Sequence, residues 1–101
     1  YTAVYAASDS TAVGLLQAAH RSGLDVPRDL SVVGYDDIDI ARFTIPPLTT
    51  VRQGGVEMGR AAVDLLMRMV EDGIDRDRLE DVVLEPTLVV RESTAPPREK
   101  E

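Results

Sequence analysis

The sequence predicts an α/β fold built on a parallel sheet. Three observations carry this. An apolar run, an amphipathic helical stretch and a second apolar run succeed one another within residues 2–35. The second run is apolar almost without interruption, as suits a parallel strand covered on both faces. Serine, aspartate and glycine stand at the joints, where strand ends and helix caps require them.

Thr2-Ala3-Val4-Tyr5-Ala6-Ala7 is short and apolar and is bounded by Ser8-Asp9-Ser10, which predicts a buried core strand running into helix-capping residues. From Asp9 to Ser22 the period turns helical, with Ala12, Val13, Leu16 and Ala19 on one stripe and Leu15 beside it. Gly23 stands where a helix commonly ends in a left-handed residue, and Pro27 keeps the chain from re-entering a helix. Leu30-Ser31-Val32-Val33-Gly34-Tyr35 is the second strand, so residues 2–35 make one βαβ unit with a right-handed crossover. Asp36 to Thr50 reads as a loop stiffened by Pro46-Pro47, and Leu48 to Val51 as extended chain. Gly54-Gly55 leads into the most regular helix, in which Val56, Gly59, Val63, Leu66, Met67 and Val70 recur at spacings of three and four. Met58, Met67 and Met69 are expected as apolar filler on its packed face. Gly73 ends this helix and residues 74–81 form a charged loop. Residues 82–85 and 87–91 are two strand-like runs split by Pro86, which cannot donate to a ladder. Residues 95–101 are polar and Pro-rich and are expected to be disordered. An opening directly on an apolar strand is expected of a segment that continues from upstream chain.

Composition narrows the function. The formal charge is −7 and the single lysine, Lys100, lies in the tail, which argues against this segment gripping a polyanion. The absence of cysteine removes disulfide and thiolate–metal chemistry and fits a reducing cytoplasm. No apolar run is long enough for a membrane span, and the first residues carry no signal-peptide pattern.

In an open parallel sheet, ligands bind outside the carboxyl ends of the strands. The first strand ends in Ser8 and Asp9, the second in Asp36 and Asp37, so these side chains are expected along one edge. Carboxylates accept hydrogen bonds and suit hydroxyl-rich ligands or metal ions. Two plainer readings stand beside this: Ser8 or Asp9 as a helix cap only, and Asp36 and Asp37 as loop residues after a strand. His20, late in a helix, reads as a surface residue with no role as a base. Asp37-Ile38-Asp39 after an apolar strand has the shape of a phosphoryl-transfer nucleophile pair, but that chemistry needs a nearby lysine, and the chain has no Ser-His-Asp set, phosphate loop or metal cluster. The segment is therefore expected not to be an enzyme and to need no cofactor.

A longer pattern runs through the chain: Asp9-x-x-Ala12-x-Gly14, Gly23-x-x-Val26-Pro27-x-Asp29-x-Ser31-Val32-Val33-Gly34-Tyr35-Asp36-Asp37, then Ile45-Pro46-Pro47-Leu48-Thr49-Thr50-Val51, Gln53, Met58-Gly59 and Leu88-Val89-Val90-Arg91-Glu92-Ser93-Thr94. Over residues 2–94 it resembles the effector domain of LacI/GalR-type transcription regulators. The resemblance implies a type I periplasmic-binding-protein-like fold, of which this chain is a C-terminal fragment. It places residues 1–50 in the C-terminal lobe and 51–86 in the N-terminal lobe, with 87–101 returning to the C-terminal lobe. It implies a small effector, a sugar or sugar derivative, with Ser8, Asp9, Asp36 and Gln53 at the binding cleft. It implies a homodimer whose surface includes Val13, Gln17, Ile40, Phe43 and Thr44, and operator DNA bound through a helix-turn-helix upstream. A periplasmic-type sugar-binding protein for transport or chemosensing is the alternative with the same fold.

Overall fold

The computed structural model describes residues 1–99. The chain forms two compact units, one comprising Tyr1–Arg52 and the segment from Thr87 onward, the other Gln53–Pro86.

The first unit begins with strand β1 (Ala3–Tyr5), helix α1 (Asp9–Arg21) and strand β2 (Ser31–Val33), with β1 and β2 parallel in the register Ala3↔Ser31, Val4↔Val32 and Tyr5↔Val33. This is the βαβ unit of the sequence. Local chemistry sets both ends of α1. The Ser8 hydroxyl accepts the Thr11 N–H at 3.2 Å, satisfying a free donor of the first turn. Gly23 takes φ +77°, which lets the Leu24 N–H reach back to the Ala19 carbonyl at 2.9 Å and its own N–H to His20 at 3.2 Å. That reciprocal pair closes the last carbonyls of the helix. The face with Ala12, Leu16 and Ala19 is buried, and Ala12 and Leu16 meet Ala6, Val32, Ala41 and Leu48 in the core.

Strand β3 (Thr50–Arg52) pairs antiparallel with the returning strand β4 (Thr87–Val89), and Val33 bridges to Thr49 in parallel just before β3. A 3₁₀ turn at Asp39–Arg42 interrupts the expected loop and buries Ala41 beneath it. Ser93, fully buried, donates to the Val32 carbonyl at 2.6 Å and accepts the Thr49 N–H at 2.8 Å, so one hydroxyl stitches the end of the chain to two earlier segments.

Four expectations need correction. β1 is not a buried core strand: Ala3, Val4 and Tyr5 are all exposed, Tyr5 at 61%. Its apolar sequence demands cover, and within this unit only Ala6, just beyond it, finds any. Residues 82–85 form no strand, because that run has no pairing partner among the described residues. Chain after Ser93 is tethered as far as Arg98: Ala95 exchanges hydrogen bonds with the Ser31 hydroxyl, and the Arg98 guanidinium donates to the Asp29 carbonyl. The remaining part of that expectation, Lys100 and Glu101, lies outside the described residues.

The fourth correction concerns the second unit. Its helix α2 (Gly55–Glu71) forms as the periodicity predicts, followed by a 3₁₀ turn at Arg76–Arg78, but buries no residue. Met58, Met67 and Met69 are exposed together with Val56, Val63, Leu66 and Val70, so the methionines are not packed filler here. An apolar stripe makes a helix ready to pack; it does not supply the surface to pack against. No helix among the described residues is long and apolar enough to cross a membrane.

Candidate functional site

The carboxyl ends of β1 and β2 are joined where the Asp9 N–H donates to the Tyr35 carbonyl at 2.9 Å. Ser8 and Asp36, flanking that bond, therefore sit side by side along the edge. Ser8 is partly exposed; its hydroxyl caps α1 and also donates to Thr11 Oγ1 at 3.1 Å. Asp36 is exposed, with φ +119°. Asp9 behaves differently. It is fully buried, with Oδ1 accepting from Thr50 Oγ1 at 2.5 Å and Oδ2 from the Ile38 N–H at 2.9 Å. Its carboxylate is occupied inside the fold, bracing the edge from beneath rather than lying open to a ligand. Gly34 completes the brace by making room: a Cβ there would stand 2.2 Å from Asp9 Oδ1. Gln53 is half-buried, the first residue of the second unit, and follows directly on β3.

Asp37 contributes a second buried carboxylate. Its side chain is 3% exposed and lies between two guanidinium groups. Oδ2 accepts from Arg52 Nη2 at 2.7 Å and Nε at 2.8 Å, and Oδ1 from Arg91 Nη2 at 2.6 Å. Arg91 also donates to the Leu48 carbonyl at 2.9 Å. Burial pushes the Asp37 carboxyl upward, but hydrogen bonds and charge from Arg91 and Arg52 together outweigh it and hold the group below its ordinary value. The cations that a phosphoryl-transfer site would need are thus present as arginines, yet both are spent on the would-be nucleophile.

These partners were not singled out as site residues from sequence. Arg91 lies 54 residues from Asp37, and Thr50 lies 41 from Asp9. The available signal was local: two adjacent acids closing one strand, and arginines directly after the apolar runs that end at Val51 and Val90.

A second feature lies along α1. Val13, Leu16, Gln17 and His20 from the helix, with Thr44 and Ile45 from the loop, line an open groove of about 390 Å³. Thr44 is held by its hydroxyl, which donates to the Pro46 carbonyl at 2.9 Å with the Ala41 carbonyl also within reach at 3.2 Å. Ile40 and Phe43 of the same loop are exposed, Phe43 at 78%. The structure thus gathers Val13, Gln17 and Thr44 at one groove, with Ile40 and Phe43 in the adjoining loop.

Residues 2–94 match the model of the periplasmic binding protein-like domain. The chain belongs to this family. Among curated members, the ribose operon repressor of Haemophilus influenzae is 47% identical over 92 residues, covering 91% of this chain and 27% of the repressor. The HTH-type transcriptional regulator MalR of Streptomyces coelicolor is 51% identical over 94 residues, covering 93% of this chain and 27% of the regulator. Among solved structures, a LacI family transcriptional regulator from Enterococcus faecium with bound ribose superposes with a TM-score of 0.85 at 33% identity, covering 96% of this chain and 35% of that one. The lac repressor dimer bound to operator and an anti-inducer superposes at 0.84 and 37% identity, covering 94% of this chain and 32% of that one. The chain spans about a quarter of the length of the curated relatives it matches.

Proposed function

We propose that this chain is the C-terminal portion of the effector-sensing and dimerisation half of a transcription regulator, and that the effector is a sugar or sugar derivative. The observation that carries the reading is Asp36: an exposed carboxylate at the carboxyl end of a parallel strand, beside a helix N-terminus. A carboxylate there accepts bonds from neighbouring hydroxyls. Ser8 contributes a hydroxyl. Regulatory relatives and bound ribose, cellobiose and sucrose among family structures favour the regulator over a transport protein.

In this reading the groove along α1, with Val13, Gln17, Ile40, Phe43 and Thr44, meets its own copy across a two-fold axis. Operator DNA is held by a part of the protein outside this chain. Effector binding shifts the balance between two arrangements of the domain and so the spacing of the DNA-binding heads. The site works by binding, without catalysis, in the cytoplasm.

The test is calorimetric titration of the full-length protein with ribose, cellobiose and sucrose. One of them is expected to bind, and Asp36→Asn to weaken it roughly 10- to 100-fold, the loss of a charged hydrogen bond of about 1.5–3 kcal/mol. Unchanged affinity in the variant removes Asp36 from the site; no heat with any of the three removes the sugar class they represent.

A further inference from the structure

We propose that Asp37, clamped by Arg91 and Arg52, is the positioning residue that holds Asp36 in its ligand-accepting geometry; this rests on the reading of Asp36 as a ligand residue. Asp36 at φ +119° and Asp37 at φ +58° are two consecutive non-glycine residues in territory that L side chains seldom occupy. Such backbone persists only where its surroundings over-determine it. Here the surroundings can be named. The Asp36 N–H donates to the Val51 carbonyl at 2.9 Å, and the Ile38 N–H to Asp9 Oδ2 at 2.9 Å. Between them, among the described residues, the turn itself is fastened by the Asp37 side chain, which meets the two guanidinium groups.

The arrangement is excessive for a stabilising ion pair. Buried pairs add little net stability, since desolvation cancels much of their attraction. One carboxylate held on both oxygens by two arginines instead fixes direction: the side chain cannot rotate without breaking bonds to both. With Asp37 locked inward, the preceding residue has its side chain at the exposed edge. The two arginines also define where the turn is anchored. Arg52 ends β3 and Arg91 lies just past β4, so the clamp ties the Asp36 turn to the strands by which the chain leaves for, and returns from, Gln53–Pro86.

The experiment uses the full-length protein carrying Asp37→Asn, Arg91→Met or Arg91→Lys. Amide hydrogen exchange is read at Asp36 and Ile38, and affinity for whichever of ribose, cellobiose or sucrose binds the wild type. Asp37→Asn and Arg91→Met are expected to speed exchange at those amides by about tenfold while α1 amides hold their rates. The same two variants should weaken sugar binding by about tenfold, and Arg91→Lys, which keeps the charge but not the fork that spans Asp37 Oδ1 and the Leu48 carbonyl, should recover part of both effects. Unchanged exchange in Asp37→Asn overturns the proposal. So does faster exchange with unaltered affinity, or an Arg91→Lys protein as loose as Arg91→Met. If no sugar binds the wild type, the functional reading fails on its own, and the exchange rates alone decide whether the clamp holds the turn.

Discussion

Substituting Gly34 by alanine adds a single methyl group at a position whose backbone alanine accepts, yet it should be among the costly changes available in this chain. The new Cβ would lie 2.2 Å from Asp9 Oδ1, 3.0 Å from Leu48 Cδ2 and 3.2 Å from Asp9 Cγ. Heavy atoms in comfortable contact stand about 3.5 Å apart or more, so the carboxylate has to retreat by roughly an ångström. It has nowhere to go without loosening its bonds from Thr50 Oγ1 and the Ile38 N–H. Weakening bonds to a buried charge costs about 1.5–3 kcal/mol each. Crowding a packed site adds about 1–3 kcal/mol. Against this, replacing glycine recovers about 0.4–1 kcal/mol from the unfolded chain. The net expectation is a loss of at least about 3 kcal/mol, read by urea unfolding of the domain. A cycle with Asp9→Ala identifies the cause. With the carboxylate removed, Gly34→Ala should cost far less, giving a coupling of at least about 1.5 kcal/mol. A Gly34→Ala domain within about 0.5 kcal/mol of wild type, or two changes that simply add, would refute the clash and with it the fixed position of Asp9.

Three further outcomes follow from the same structure. Ser8→Ala removes the cap on α1 and should lower stability by about 1 kcal/mol in the same unfolding assay, whereas Ser8→Asp, which restores an acceptor, should not. Asp37 titrates below its ordinary value when folded, so its contribution to stability is present above the unfolded carboxylate value and is lost as pH falls through the folded one; Asp37→Asn should flatten that acid-side slope in a pH series of melting temperatures, and an unchanged slope would show that the carboxylate is not held by Arg91 and Arg52. Val13→Asp and Phe43→Asp each place a charge at or beside the α1 groove, and sedimentation of the effector-binding domain should show dimer giving way to monomer; a dimer indifferent to both moves the two-fold contact elsewhere.

How far the fold was legible depended on distance along the chain. Both ends of α1 could be read from sequence because Ser8 and Gly23 act within three to five residues of themselves, and the parallel pairing of β1 with β2 followed from the helix between them. What a strand or helix face meets was a different matter. Residues 82–85 are as apolar as many strands, but a strand exists only with a neighbour to bond. The α2 stripe was read correctly as a stripe and wrongly as packed, since cover is a property of other chain. The site divided in the same way. That Ser8 and Asp36 share an edge follows from two strands pointing one way. That Asp9 faces inward does not, because its partners Ile38 and Thr50 lie 29 and 41 residues off and neither advertises a need for a carboxylate.

The antiparallel pairing of β3 with β4 has a bearing on how the molecule tolerates change. Thr50, Val51 and Arg52 lie against Val89, Leu88 and Thr87, so the two ends of Gln53–Pro86 are zipped together at its neck. To the first unit, Gln53–Pro86 is an excursion that departs and comes home at one place. The entropy of closing such an excursion grows only with the logarithm of its length, about 0.6 kcal/mol for each doubling. Residues can therefore be inserted into or trimmed from the loop around Arg76–Arg78 at little cost to the Asp36 edge, whereas one residue added between Thr50 and Arg52 would break the register of the zipper and turn the side chains beyond it to the opposite face.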